Sequence, residues 1–456
     1  MTGLTSALGA FVADSTPIAP AARRMAQRGI VDAYGCLLAA RREAVVETLW
    51  RRLDPAGAAQ PGGKLCPLLS ARCVRPEDAA MVNATAAHAL ALDDVAFGCH
   101  PSSLLMPALF ALAEPVRPSG AALLDAYVVG FEVLAELSTR EPEGWHRSGW
   151  HPSALLGAVG AAATAARLLR LDAPQAARAL ALASSMSGGV AANFGTQAKA
   201  LHAGRAASAG VLAACLAADG VTAADDALER PNGLLAVASP SGRVRLDARL
   251  GTSATQPRLL DPGLSFKQYP VCYSLHRVVD AAIDIARQPG FDVARLGAVE
   301  VHLGRAQAAM ARHHRPQTPL EAKYSVEFAV VSGLLAGAAG HAQLEPGFVA
   351  SAPVQQALGT VRLHLRDDCS GDDGVFSASD RVVARDTAGR TFDSGEVAYA
   401  RGHARRPLDE AALRAKFLDG ARHGGFADAS ACFDALQALE RASDVATLVE
   451  SLAQGC

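Results

Sequence analysis

The 456-residue sequence predicts a mainly α protein: a large all-helical domain plus a smaller α+β domain. Three observations lead there. Half of the residues are apolar, yet only 5% are aromatic, so the core must be built from Ala, Leu and Val. Ala has the best intrinsic helix propensity, and small side chains let helices approach closely. Helical patterning runs to about residue 265, and the alternation typical of strands begins only after Tyr269-Pro270. The length also exceeds what one hydrophobic core usually serves, so two domains are expected.

The elements follow in order. Ala21–Ala40 opens the helical series, and Ala121–Glu136 continues it behind Ser119-Gly120. Asp172 is placed to cap a third helix, with Pro174 in the first turn, where its missing N–H does no harm. Ala154–Leu169 is apolar nearly all round and reads as one helix buried on every side. Beyond residue 265, Val299–Leu303 and Val361–Leu365 alternate as strands, as does Arg381–Val397, with Ala388-Gly389 as its hairpin turn. Helical stretches at Leu275–Arg287 and Ser325–Ala339 interleave with them. From Leu408 the helical pattern returns. The expected domains are therefore 1–265 together with 403–456, and 266–402.

Charge and cysteine usage narrow the function. Lys+Arg (43) nearly balances Asp+Glu (45), no basic stripe stands out, and a nucleic-acid partner is not expected. The nine cysteines are scattered without a CxxC, which offers no usual zinc or iron–sulfur spacing and suits thiols in a reducing cytosol. The opening stretch lacks a basic start, and Asp14 interrupts its apolar run, unlike a signal peptide. The longest apolar runs, Leu155–Ala166 and Phe328–Gly340, are about a dozen residues, short of the ~20 a span needs, so no membrane association is expected. GxGxxG, Walker A, GxSxG and HExxH are all missing, and Gly188-Gly189 reads as a helix break.

Four polar clusters in apolar surroundings carry the candidate chemistry. The first runs from Asn83 through His88, Asp93 and Asp94 to His100-Pro101; taken alone, it is also what a helix end with a core histidine looks like. The second is Trp150-His151-Pro152, where a helix N-terminus would favour a neutral imidazole and a nearby anion. The third, Asn193 to Arg205, reads as a donor-rich loop presenting Lys199, His202 and Arg205. The fourth, Ser265 to His276, holds Lys267 and Tyr269 at the domain boundary, where ligand clefts are common. Thr318–Ser325, with Lys323 and Ser325, is either a fifth cluster or a capping segment. Lysine and arginine to grip carboxylates, with imidazoles to move protons, are what proton abstraction beside a carboxylate requires.

The motifs of Asn83 to His100-Pro, Trp150-His151-Pro, Lys199-x-x-His202-Ala-Gly-Arg205 and Lys267-x-Tyr-Pro resemble the MmgE/PrpD family. The segments around Asp32–Cys36 and Thr318–Ser325 fit as well, so the resemblance spans essentially the whole chain in order. It implies a cytoplasmic homodimer without metal or organic cofactor, acting on a small di- or tricarboxylate as a dehydratase-like lyase. Alternatives are an epimerase or isomerase of a dicarboxylate such as iminodisuccinate, a decarboxylase, or a non-catalytic homologue. By resemblance the active site lies in a cleft between the domains. His100, His151, Lys199 and Lys267 are the catalytic candidates, and Asp93, Asp94, His202, Arg205, Tyr269, Lys323 and Ser325 the substrate-binding ones. Where the family usually carries acidic or hydroxyl groups, this chain has Ala91, Val95, Ala154 and Phe328. A less polar pocket than a tricarboxylate dehydratase's is expected.

Overall fold

A computed structural model describes residues 3–53, 74–251, 255–368 and 376–455. The chain forms two compact units, Met1–Leu264 with Asp409–Cys456, and Ser265–Leu408. The return to the first unit thus comes six residues later than the expected 403. Residues 402–406 stay with the second unit because Phe266 N–H donates to the Gly402 carbonyl (2.7 Å) and Ala404 N–H to Ser265 Oγ (3.1 Å).

In the first unit every regular element among the described residues is helical. Leu4–Ala13 precedes the expected opening helix, which runs Pro20–Ala40 with proline in its first turn. Pro76–Ala89, Ser102–Val116, Gly120–Ser138, Ala173–Ser184 and Ala198–Ala218 build the core. Ser119 accepts from Ala122 N–H, and Asp172 forms a full capping box with Gln175, as side chains of these types should. Backbones approach closely where residues are small. A Cβ on Gly130 would fall 1.7 Å from Thr164 Oγ1, one on Gly204 2.1 Å from Thr85 Oγ1, and one on Gly210 2.5 Å from Ala161 Cβ.

Two expectations need correction here. Ala154–Leu169 is not one helix: it is split into Pro152–Leu155 and Gly157–Leu168 at Leu156. The break frees the Ala154 carbonyl to accept from Gly188 N–H (3.1 Å), which docks the Gly188-Gly189 bend against the turn. The third cluster is mostly not a loop either, since Lys199, His202 and Arg205 all lie on Ala198–Ala218. That helix is long and apolar enough to cross a membrane by length and composition, although the longest apolar runs in the sequence lie elsewhere, and most of it is buried inside the protein.

The second unit holds a four-stranded sheet in the order β2-β1-β3-β4, from Leu296–Gly304 (β1), Val361–Arg366 (β2), Arg381–Asp386 (β3) and Thr391–Asp393 (β4). β1 pairs parallel with β2 and antiparallel with β3. Val299, Val301 and Leu303 point into the core, while Glu300 and His302 point away. Helices His276–Ala286 and Val326–Ala336 complete this core. Gly389, at φ +85°, turns β3 into β4.

Cys36, Cys99, Cys215 and Cys272 are free, but Cys432 is disulfide-bonded, contrary to the expectation of thiols alone. Cys66, Cys73, Cys369 and Cys456 lie outside the described residues.

Candidate active site

Three stretches of the first unit bring a group of imidazoles together. The first is the loop that leaves Pro76–Ala89 at His88. It turns through Ala91 (φ +56°) and Phe97 (φ +51°), left-handed conformations that cost a residue with a Cβ roughly 1–2 kcal/mol each. Such strain is held only where surroundings enforce it. Here Asp94, wholly buried, accepts from Ser102 N–H (3.1 Å) and bonds the Ser102 hydroxyl, which in turn meets Tyr127 Oη. Burial pushes the Asp94 carboxyl well above the usual range, with the negative charge of Asp32 adding to it.

The second stretch is the His151-Pro152 turn, and the third is the start of Ala198–Ala218. His100 N–H donates to Ser153 Oγ (3.0 Å), which ties the two His-Pro junctions to each other. Ring centroids then lie 4.5 Å apart for His88 and His100, 5.6 Å for His88 and His151, and 6.1 Å for His100 and His151. Phe194 closes one side, 5.0 Å from the His151 ring and 5.5 Å from Lys199 Nζ.

The hydrogen bond of His100 fixes its tautomer. His100 Nδ1 lies 2.9 Å from the Asp94 carbonyl, an oxygen that only accepts, so Nδ1 keeps its hydrogen and Nε2 is the nitrogen that can gain or lose a proton. His151 Nδ1 is 3.1 Å from His202 Nδ1, while its Nε2 is buried with no hydrogen-bond partner among the described residues. His151 is 1% exposed. Its pKa falls well below the usual imidazole range, first through burial, then through Lys199 and the neighbouring imidazoles. The helix dipole invoked from sequence is not the cause, because the helix after His151 is a single four-residue turn. His202 shifts the same way, and burial takes His146, beside Phe194, down to about 4.

Of the substrate-binding candidates in this unit, Arg205 is exposed, on the solvent side of its helix. Asp93 and Asp94 are fully buried and face protein groups: Asp93 Oδ2 lies 2.7 Å from His88 Nδ1 and 3.4 Å from His100 Nδ1. Asp93 orients the rings through its carboxylate, and Asp94 orients His100 through its main-chain carbonyl.

In the second unit Lys267 and Lys323 are both buried, and Cys272 N–H donates to the Lys323 carbonyl (2.9 Å). Tyr269 departs from its expected role. Its hydroxyl donates to Asp280 (2.6 Å), a carboxylate also held by Arg401, and burial beside that carboxylate pushes the phenol pKa up. Ser325 is a helix cap, its Oγ accepting from Phe328 N–H (3.1 Å). Phe328 packs edge-on against Phe348 in the core.

His88, His146, Phe194 and Lys416 belong to the site or its support without having been singled out from sequence as candidates. His88 had a usable signal, a histidine five residues before a buried aspartate at a helix end. Lys416 had none, since its partner Asp32 lies 384 residues away. His88, His100 and His151 offer ligand atoms within 4.8 Å of one another, a spacing a metal ion could use. Both nitrogens of His88 already face protein groups, however: Asp93 on Nδ1 and Lys199 Nζ (2.6 Å) on Nε2. An ammonium at that distance opposes a cation and favours an anion.

Residues 6–247 match the MmgE/PrpD N-terminal domain and residues 269–439 the MmgE/PrpD C-terminal domain. The chain is similar to the cis-aconitate decarboxylase of Homo sapiens, 32% identical over 75% of this chain and 72% of that one. That of Mus musculus is 30% identical over 75% and 71%. A shorter stretch, 35% of this chain and 34% of the relative, is 32% identical to the cis-aconitate decarboxylase of Aspergillus terreus.

Proposed function

Because this chain belongs to the MmgE/PrpD family, we propose that it is a lyase that moves a proton at the carbon beside a carboxylate of a small polycarboxylate. The observation that carries the reading is His151 Nε2, buried without a hydrogen-bond partner in a ring kept neutral by burial; with Nδ1 donating to His202, Nε2 holds the lone pair. A buried, neutral imidazole with its other nitrogen on His202 suits a general base. It takes the α proton, and the electron pair left on carbon delocalises onto the carboxylate. Lys199, a buried ammonium, offsets that charge. His100 Nε2, in a ring 6.1 Å from that of His151, delivers or receives the second proton. In elimination the electron pair expels a β-hydroxyl as water and leaves an alkene.

Decarboxylation is the second reading, favoured by the activity named for the relatives. There the carbon–carbon bond to one carboxylate breaks, carbon dioxide leaves with its oxygens, and the electron pair on carbon takes the proton that His100 holds on Nε2 when its ring is protonated.

The test is NMR of citrate, methylcitrate, cis-aconitate and iminodisuccinate incubated with the protein in heavy water. Alkene formation supports the dehydratase, and loss of carbon dioxide with deuterium uptake supports the decarboxylase. Exchange without elimination indicates the epimerase instead. A folded protein that neither exchanges nor converts any of the four acids overturns the reading. Turnover is expected to survive EDTA, since a metal on these rings would have to displace Lys199 from His88.

A further inference from the structure

The proposed chemistry leaves His88 unused, although it is the ring with the most defined partners. It lies in the last turn of Pro76–Ala89, is 2% exposed, and sits between two charged groups on different segments. Asp93 Oδ2 is 2.7 Å from Nδ1, and Lys199 Nζ is 2.6 Å from Nε2. A lysine ammonium has three hydrogens and no lone pair, so Nε2 must accept from it. Nδ1 must then carry the ring hydrogen and donate to Asp93, a bond to an ionised group that is stronger than a neutral one. The same carboxylate oxygen lies 3.4 Å from His100 Nδ1, so Asp93 orients two rings at once.

We infer that His88 is a positioning residue for Lys199: held by Asp93 in its Nδ1–H form, it turns the Nε2 lone pair onto Nζ and fixes the ammonium against the reacting carboxylate. This rests on the lyase reading above for its kinetic consequence, but not for its geometry. One hydrogen of Nζ is committed to His88, and the Phe194 ring lies 5.5 Å away. The bond to His88 therefore sets the directions in which Nζ presents its other hydrogens. A lysine on four rotatable bonds is otherwise poorly placed, and misplacing a catalytic group by about 1 Å costs roughly a hundredfold in rate.

Two substitutions separate positioning from filling space. In His88→Gln the side-chain amide reaches the place of Nε2, so its oxygen can accept from Lys199. In His88→Asn the amide reaches only the place of Nδ1, which keeps the bond to Asp93 and loses the one to Lys199. Expected are kcat within about tenfold of wild type for H88Q and at least about a hundredfold lower for H88N, with KM changed less than about threefold in both. Equal losses in the two variants, a better H88N, or no loss in either would overturn the inference.

Because a substitution at a buried site can impair folding, a second measurement uses the wild-type protein. Nitrogen-15 NMR of histidine-labelled protein, with His88 assigned by signal loss in either variant or by its coupling to the labelled backbone, reads the ring directly. A neutral ring protonated on Nδ1 is expected; an Nε2-protonated ring or an imidazolium overturns the inference. If the tautomer is as expected and no acid turns over, the lyase reading falls while the His88–Lys199 pair stands. Turnover with the wrong tautomer does the reverse, so that the pair falls and the lyase reading stands.

Discussion

At His151 a neutral imidazole is surrounded by His88, His100, His202 and Lys199, and each neighbour makes a further proton less welcome. His151→Gln keeps the size and one hydrogen bond of the ring but removes its titration. The expected outcome is a folded protein with kcat down at least about a hundredfold and no acidic limb in its pH profile. In the wild type that limb should lie below the ~6.5 of a free imidazole. The same shifts govern stability. His146 has a folded pKa of about 4, so between pH ~6.5 and ~4 the unfolded chain binds a proton that the folded chain refuses. Its stabilisation is present above that window and is lost as pH falls through it; His151 acts in the same direction. Thermal melts from pH 7 to 4 should show a falling midpoint, with a shallower fall in His146→Gln. The sequence could show which imidazoles stand beside prolines and lysines. It also offered Thr318–Ser325 as a capping segment, and Ser325 does cap a helix, but it could not show that Tyr269 gives its hydroxyl to Asp280, a partnership that depends on local geometry as much as on residue type.

Helices whose signals are local matched their expected bounds well, and those shaped by neighbours did not. The Asp172 capping box needs only Asp172 and Gln175, and both are in view in the sequence. The break at Leu156 is set by Gly188 N–H claiming the Ala154 carbonyl, a contact 34 residues away by number that no periodicity reveals. Parallel pairing of β1 with β2 was equally hidden, since an alternating strand carries no mark of its partner's direction. The close helix crossings give a test at this scale. In Gly210→Ala the new Cβ would fall 2.5 Å from Ala161 Cβ and 2.6 Å from Ala162 N, a backbone atom that cannot swing aside. Overpacking of this kind costs ~1–3 kcal/mol, which outweighs the ~1 kcal/mol that alanine gains in helix propensity. Urea midpoints should fall for G210A and hold or rise for Gly347→Ala, where nothing lies within 4 Å.

The first unit is built from two stretches of chain, and its C-terminal part reaches the centre of the site's support. In the Glu410–His423 helix, Phe417 packs on Gly35, and Lys416 Nζ bonds both Asp32 and the Leu92 carbonyl (2.9 Å), one residue before Asp93. Lys416→Met should destabilise the protein by ~3–5 kcal/mol, since it strands the buried Asp32 carboxylate. Adding Asp32→Leu should recover much of that loss, which equilibrium unfolding of the single and double variants would measure. That the helical pattern resumes near Leu408 was legible; which residue it delivers to Asp32 was not. The order of synthesis gives this bond a further meaning. Lys416 follows Leu92 by 324 residues. At 5–20 residues per second, the nascent chain carries the Asp93 loop for roughly 15–65 s before its anchor leaves the ribosome. Through that interval the strained turn at Ala91 lacks the contact that holds its neighbour, so the ring group takes its final form only after the Lys416 helix has been made.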